Sequence, residues 1–157
     1  LPKARWHFIG HIQSNKTKVV AEHFHWVQSV DREKVARRLN DQRPDNLPAL
    51  NVCIQLNIDD EDSKSGVKSG ELDGLVQFIE SQEKLCLRGI MAIPKANPSE
   101  EEQALTLGKL KELYDHYHKS LANFDTLSVG MSSDMNAAIK NGSTMVRIGT
   151  AIFGKRG

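Results

Sequence analysis

An α/β fold built from parallel β/α units is what this sequence predicts, and three observations carry the prediction. Six short apolar runs alternate with stretches of helical period. One of the runs, "LNVCIQLNI" (50–58), is nearly continuous in apolar residues, the pattern of a strand covered on both faces of a parallel sheet. The connections between runs have the character of crossover helices rather than tight hairpins. At 157 residues, with 39% apolar residues to fill a core and 26% charged residues to solvate it, the chain reads as a single domain over 1–157.

The elements follow in order. "RWHFIGHI" is the first strand, and Ser14 is positioned as the N-cap of a helix through "NKTKVVAEHF". "WVQSV" leads through Asp31 into the helix "REKVARRLN", and the turn "DQRPDNLP" precedes the long central strand. Leu72, Leu75, Val76 and Ile79 form one stripe of a helix whose N-cap falls at Ser69. "LCLRGIMAI" is the next strand. Ser99 and Glu102 have the spacing of a capping box, and Leu110, Leu113, Tyr114, Tyr117 and Leu121 mark the inner face of the long helix after it. "TLSVGM" and "TMVRIGTAIFG" supply the last two strands, giving six. Such units build either an open doubly wound sheet or a (β/α)8 barrel, and in both the working loops follow the C-terminal ends of the strands.

Charge excludes several function classes. Lys plus Arg number 21 against 20 Asp plus Glu, so no broad field favours nucleic acid or an anionic membrane. No apolar stretch approaches the ~20 residues that a membrane helix needs. Cys53 and Cys86 lie in apolar runs without a close-spaced motif, which reads as buried, reduced thiols in a cytoplasmic protein. The His23/His25 and His116/His118 pairs, at i and i+2 on helices, do not share a face and read as surface histidines rather than zinc ligands. Trp6 and Trp26, at strand starts, read as core or rim packing.

The C-terminal stretch "GMSSDMNAAIKNGSTMVRIGTAIFG" carries the candidate site. The period of two along "MVRIG" sends Val146 and Ile148 to one face and Arg147 with Gly149 to the other. In a barrel Arg147 then points inward, where it pairs with a carboxylate or meets an anionic ligand. Gly149 and Thr150 are read as finishing that strand, with two backbone N–H groups open to a ligand. Ser132, Ser133 and Asp134 stand at the start of the helix "MNAAIKN", which Asn141-Gly142 ends, and free N–H groups there favour an anion. Hydroxyls, helix start, Gly-Thr and an inward Arg together point to a phosphorylated ligand.

"WHFIGHIQSNK", "LNVCIQLNIDDEDSKSG", "LRGIMAIP" and the C-terminal block closely resemble the pyridoxal-phosphate homeostasis proteins, the YggS/PROSC group, similar in fold to the alanine racemase N-terminal barrel. The resemblance covers nearly the whole chain, with one departure at "GHIQSNK", where the family commonly has Pro-Leu after the Gly. It implies a partial (β/α)8 TIM-type barrel holding pyridoxal 5′-phosphate, with the first strands missing. It also implies that Ser132, Gly149 and Thr150 surround the phosphate, that Arg147 faces the pyridine nitrogen, and that Met131, His7 and Ile9 line the pocket. The family's Schiff-base lysine lies on a strand upstream of the residues present. This implies that no catalytic lysine is in the chain and that cofactor on it is absent or non-covalent, with phosphate or sulfate able to take its place. The piece is therefore expected to associate with its missing segment or another chain. Lys64, in a loop at the barrel mouth with Lys68, is the one substitute amine to weigh.

An arginine at the ring nitrogen makes the cofactor a weak electron sink, so the role implied is a non-catalytic carrier of pyridoxal phosphate, with cofactor-requiring apo-enzymes as partners. The alternatives are a racemase-type enzyme acting on amino acids, for which Tyr114 and Tyr117 are the only tyrosines, and an unrelated phospho-metabolite enzyme using Asp59 or His7.

Overall fold

A computed structural model describes residues 4–60, 65–96 and 98–153. The elements alternate as the sequence suggests: β1 (His7–Phe8), α1 (Thr17–His23), β2 (Trp26–Val30), α2 (Glu33–Gln42), β3 (Leu50–Asn57), β4 (Val67–Lys68), α3 (Leu72–Glu80), β5 (Leu85–Met91), α4 (Glu100–His118), β6 (Thr126–Met131), α5 (Met135–Lys140), β7 (Met145–Arg147) and α6 (Thr150–Phe153). Every pairing is parallel, in the order β1-β2-β3-β5-β6-β7. The two-residue β4 is an addition to the six expected strands; it pairs with the end of β3 through Leu56 and Val67.

The sheet is strongly curled. Gln28 on β2 and Met145 on β7 are four strand positions apart, about 19 Å in a flat sheet, yet Gln28 Nε2 lies 3.2 Å from Met145 Sδ. Two side chains cannot bridge the flat distance, so the strands wrap into part of a barrel wall. Gly89 contributes to the wrap: a Cβ there would overlap the Thr126 carbonyl of the neighbouring strand. The helices lie on the convex side, where Val27, Leu50, Val52, Ile54, Leu87, Ile90, Leu127 and Val129 meet the buried faces of α1 to α4 in the main core. On the concave side Trp26, Cys53 and Met91 form a second, smaller cluster that Ile9 and Met145 join.

Local signals mostly hold. The capping box is formed, with Glu102 N donating to Ser99 Oγ at 3.1 Å and Ser99 N to Glu102 Oε1 at 3.0 Å. Leu110, Tyr114 and Tyr117 are buried, with Leu113 and Leu121 packed at the margin. Two N-caps differ. Ser14 and Ser69 open short 3-10 turns, displacing the α-helical starts to Thr17 and Leu72. Asp31, which leads into α2, has its carboxylate taken by Arg32 Nη1 at 3.0 Å and by the backbone N–H of Gly66 at 3.1 Å, and Arg32 holds the N-cap position. Trp6 is 61% exposed rather than packed, since β1 begins only at His7. Both cysteines are free; Cys53 is buried and Cys86 half-buried. Among the described residues no helix is long and apolar enough to cross a membrane.

Arg43 anchors the N-terminal end of the sheet. Only 4% exposed, it donates from Nη1 to the carbonyls of Ala21 and Phe24 at 2.8 Å each and from Nε to Pro48 O at 3.0 Å. Its guanidinium thereby satisfies carbonyls that the end of α1 leaves open.

Candidate functional site

The candidate residues gather where β6 and β7 end. Met131 is the register partner of Arg147, so the turn that starts at Ser132 and the segment Ile148–Thr150 leave the sheet side by side from one rung. Gly130 makes this possible: its φ is +108°, and an added Cβ would stand 2.6 Å from Ala138 Cβ on α5. The turn closes on itself, with Asp134 Oδ1 accepting from Met131 N at 2.6 Å and Asp134 N donating to Met131 O at 3.2 Å. Asp134 thus holds the N-cap position of α5 while its side chain reaches backward instead of capping. Met131 is 47% exposed at the lip.

The end of β7 corrects one expectation. The strand stops at Arg147, and Gly149 and Thr150 do not extend it; Thr150 opens α6. Gly149 O accepts from Ile152 N at 3.0 Å and from Phe153 N at 2.7 Å, a helical pattern that ends the ladder. Gly149 is exposed, and a Cβ on it would meet nothing within 4 Å.

Arg147 points to the concave side as its parity requires. Nη1 donates to Ser128 Oγ at 2.7 Å and Nη2 to Ala92 O at 2.9 Å. Among the described residues it has no ion-pair partner, so the carboxylate pairing weighed from sequence is not what holds it. Burial pulls its pKa below the ordinary value, while the charges of Asp134 and Cys53 act the other way.

His7 and Ile9 lie on the same concave side but deeper, since His7 pairs with Trp26 and Trp26 with Asn51, all at or near the starts of their strands. The His7 ring stacks on Trp26 with centroids 4.9 Å apart and planes at 11°. Its pKa is lowered by burial first, then by the charges of His25 and Arg5. Two polar residues between His7 and Arg147 were not singled out from sequence: Gln28, 2% exposed, and Ser128, fully buried. Ser128 Oγ donates to Gln28 Oε1 at 2.6 Å, and Gln28 Nε2 lies 2.8 Å from His7 Nδ1. The same period of two that places Arg147 would have found them, because Trp26 and Gln28 share one face of β2 and Thr126, Ser128 and Gly130 one face of β6.

A cleft of about 280 Å³ shares Asp134 with the turn and is lined also by Asp59, Pro94, Lys95, Glu102 and Thr106. Lys68, on β4, is exposed, and Lys64 falls outside the described residues. Strands β1 to β3 and β5 to β7 contain no lysine. The described residues hold no group of three His, Cys, Asp or Glu arranged for a metal ion.

The family model described as "Alanine racemase, N-terminal domain" matches residues 1–157. The chain belongs to the alanine racemase N-terminal domain family. Within it, the chain is 56% identical over 153 residues to the pyridoxal phosphate homeostasis protein of Haemophilus influenzae, covering 96% of this chain and 65% of that protein. It is 54% identical over 159 residues to the protein of the same name from Escherichia coli K12, covering 96% of this chain and 64% of that one. The chain thus spans somewhat under two thirds of the length of these curated relatives. Among solved structures of the family, PipY of Synechococcus elongatus without PLP superposes with a TM-score of 0.87 at 30% identity, over 98% of this chain and 73% of that one. PipY with PLP bound superposes at 0.85 and 29% identity, over 98% and 72%. Alanine racemase from E. faecalis shares the fold at a TM-score of 0.75 and 14% identity, over 98% of this chain and 41% of that one.

Proposed function

We propose that this chain forms the phosphate and ring-nitrogen side of a pyridoxal 5′-phosphate site, in a protein that carries and buffers the cofactor without turnover. The observation that carries this reading is the superposition on PipY with PLP bound, with the names of the relatives beside it. The Ser132 hydroxyl and the amides of Gly149 and Thr150 hold the phosphate; Arg147 faces the ring nitrogen; Met131, His7 and Ile9 line the pocket.

The residues fit such a group. Arg147 is a cation without an acidic partner among the described residues, and its two hydrogen bonds use only part of its five N–H donors. The open space over Gly149 lets a phosphate approach the backbone. Bound there, the cofactor would bring an aldehyde and an electron-withdrawing ring. A donor-only guanidinium cannot accept a proton from the ring nitrogen and does not favour its protonation, which keeps the ring a weak electron sink and suits a carrier. Delivery to apo-enzymes that require the cofactor belongs to the same proposal.

A racemase-type enzyme needs an acid–base pair facing the cofactor. Tyr114 and Tyr117 are packed in the convex core on α4, with Tyr117 donating to Asp73 at 3.0 Å, and neither is on the concave side. The test is to titrate the protein with pyridoxal 5′-phosphate, follow its absorption, and then add amino acids. A saturable spectral change without racemisation is expected; steady racemisation overturns the carrier reading.

A further inference from the structure

Arg147, Ser128, Gln28 and His7 make an unbroken row of hydrogen bonds across the concave face, from β7 through β6 and β2 to β1, with heavy-atom separations of 2.7, 2.6 and 2.8 Å. The direction of each bond follows from chemistry. Arginine only donates, so Ser128 Oγ accepts from Nη1. Ser128 is fully buried, and its hydroxyl proton has one described acceptor, Gln28 Oε1. That fixes the amide: Oε1 faces Ser128, and Nε2 faces His7 Nδ1 and Met145 Sδ. The opposite amide orientation would leave the buried Ser128 proton without an acceptor, a cost of about 1–3 kcal/mol. With Nε2 donating, His7 Nδ1 has to accept, which requires a neutral imidazole carrying its proton on Nε2.

We propose that Ser128 and Gln28 are positioning residues: they hold the Arg147 guanidinium toward the candidate cofactor site and hold His7 as the neutral Nε2–H tautomer. The part concerning Arg147 and the cofactor rests on the function proposed above; the part concerning the tautomer does not. Without Ser128, the guanidinium keeps only the Ala92 carbonyl and can swing about it. Converting the Gln28 amide to a carboxylate keeps an acceptor for Ser128 but removes the donor to His7, so the imidazole must turn its own N–H toward position 28.

Two measurements test this. Nitrogen NMR of the His7 ring should show Nδ1 unprotonated and Nε2 protonated, and Gln28→Glu should move the proton to Nδ1 or protonate the ring fully. Protonated Nδ1 in the unsubstituted protein, or an averaged signal from both tautomers, overturns the chain. In the second, the absorption maximum of bound pyridoxal 5′-phosphate is compared in Arg147→Ala, Ser128→Ala and Ser128→Thr. Ser128→Ala should shift it in the same direction as Arg147→Ala and weaken binding by about fivefold, the equivalent of one hydrogen bond, with Ser128→Thr restoring both. If Arg147→Ala shifts the band and Ser128→Ala does not, Ser128 does not position Arg147. If Arg147→Ala leaves the band unmoved, the cofactor reading itself fails, and with it the role of Ser128 toward the cofactor, while the NMR result still decides the tautomer.

Discussion

Arg88 lies over the indole of Trp26 with its guanidinium carbon 4.7 Å from the ring centroid, and Asp125 grips the same guanidinium through Nε at 3.0 Å and Nη2 at 2.6 Å. On its stacked side Trp26 meets His7. The stack closes the lower end of the concave face: a cation–π contact joins β5 to β2, ring stacking joins β2 to β1, and a two-point ion pair joins β5 to the residue before β6. Burial alone would raise the Asp125 pKa; the hydrogen bonds from Arg88 and Thr126 outweigh it and leave the pKa below its ordinary 3.8. A depressed carboxylate contributes stability that is present above the unfolded value near 4 and is lost as pH falls through the folded one. Asp125→Asn should therefore lower thermal stability at pH 7 by the equivalent of roughly 0.5–1 kcal/mol, a modest figure because Asp125 is half exposed. The gap to the unsubstituted protein should narrow at pH 3. A gap that is constant with pH would show that the charge of Asp125 contributes nothing.

Arg147→Ala should cost little stability and much affinity. Its loss leaves Ser128 bonded to Gln28 and frees only the Ala92 carbonyl, so unfolding should ease by no more than about 1.5 kcal/mol. Binding of pyridoxal 5′-phosphate should weaken clearly and its spectrum shift, with Ser132→Ala weakening it by roughly 1 kcal/mol without the shift. A chemical melt beside a cofactor titration checks both. Loss of the fold with no change in the spectrum would return Arg147 to a purely structural role.

Gly130→Ala should be severe for one added methyl. The backbone sits at φ +108°, and the new Cβ would meet Ala138 Cβ at 2.6 Å and Val146 Cγ1 at 3.2 Å. Left-handed strain and overpacking each contribute about 1–3 kcal/mol. Urea denaturation should show a loss of at least 2 kcal/mol, and a loss under about 0.5 kcal/mol would mean that the turn after β6 can move away from α5 freely.

Acidification should be felt at His7. Burial, His25 and Arg5 lower its pKa; Gln28 faces it from β2, and Trp26 separates it from Arg88. A histidine with a depressed folded pKa contributes stability that is fully present above its ordinary 6.5 and is lost as pH falls through the lowered value. Denaturation midpoints measured from pH 8 to pH 5 should fall, and His7→Asn should flatten the slope. An equal slope in the variant would place the titration elsewhere.

How much of this was legible in the sequence depends on what each signal reports. The capping box at Ser99 and Glu102 is a local bonding pattern, so its spacing was enough to place α4. The inward aim of Arg147 came from strand parity, a property of a single strand. The end of β7 was misread because "GTAIF" is apolar enough for a strand; what stops the strand is the Gly149 carbonyl accepting two helical amides, which apolarity does not encode. Asp31 stands before α2 without capping it because Arg32 and Gly66 take its carboxylate, and Gly66 is 35 residues away, beyond the reach of a local pattern. Gln28 and Ser128 carry no local signal, each being a polar residue inside a short apolar run. Their partners lie on other strands, so the row they form exists only once the sheet has curled.

The order of the strands bears on the order of events in time. Along the main path of the sheet each strand pairs with the next strand in sequence, β4 being a side branch, so ladder partners lie no further apart than Gly89 and Thr126, 37 positions, and each pairing can form as soon as its two strands exist. The bonds from Gln28 to Ser128 and Met145 are different, joining residues 100 and 117 positions apart. They close only when both flanks of the wall have already assembled. Substitutions at Gln28 should therefore leave the refolding rate nearly untouched and appear in the unfolding rate, making the inner row a latch that sets how long the folded wall lasts.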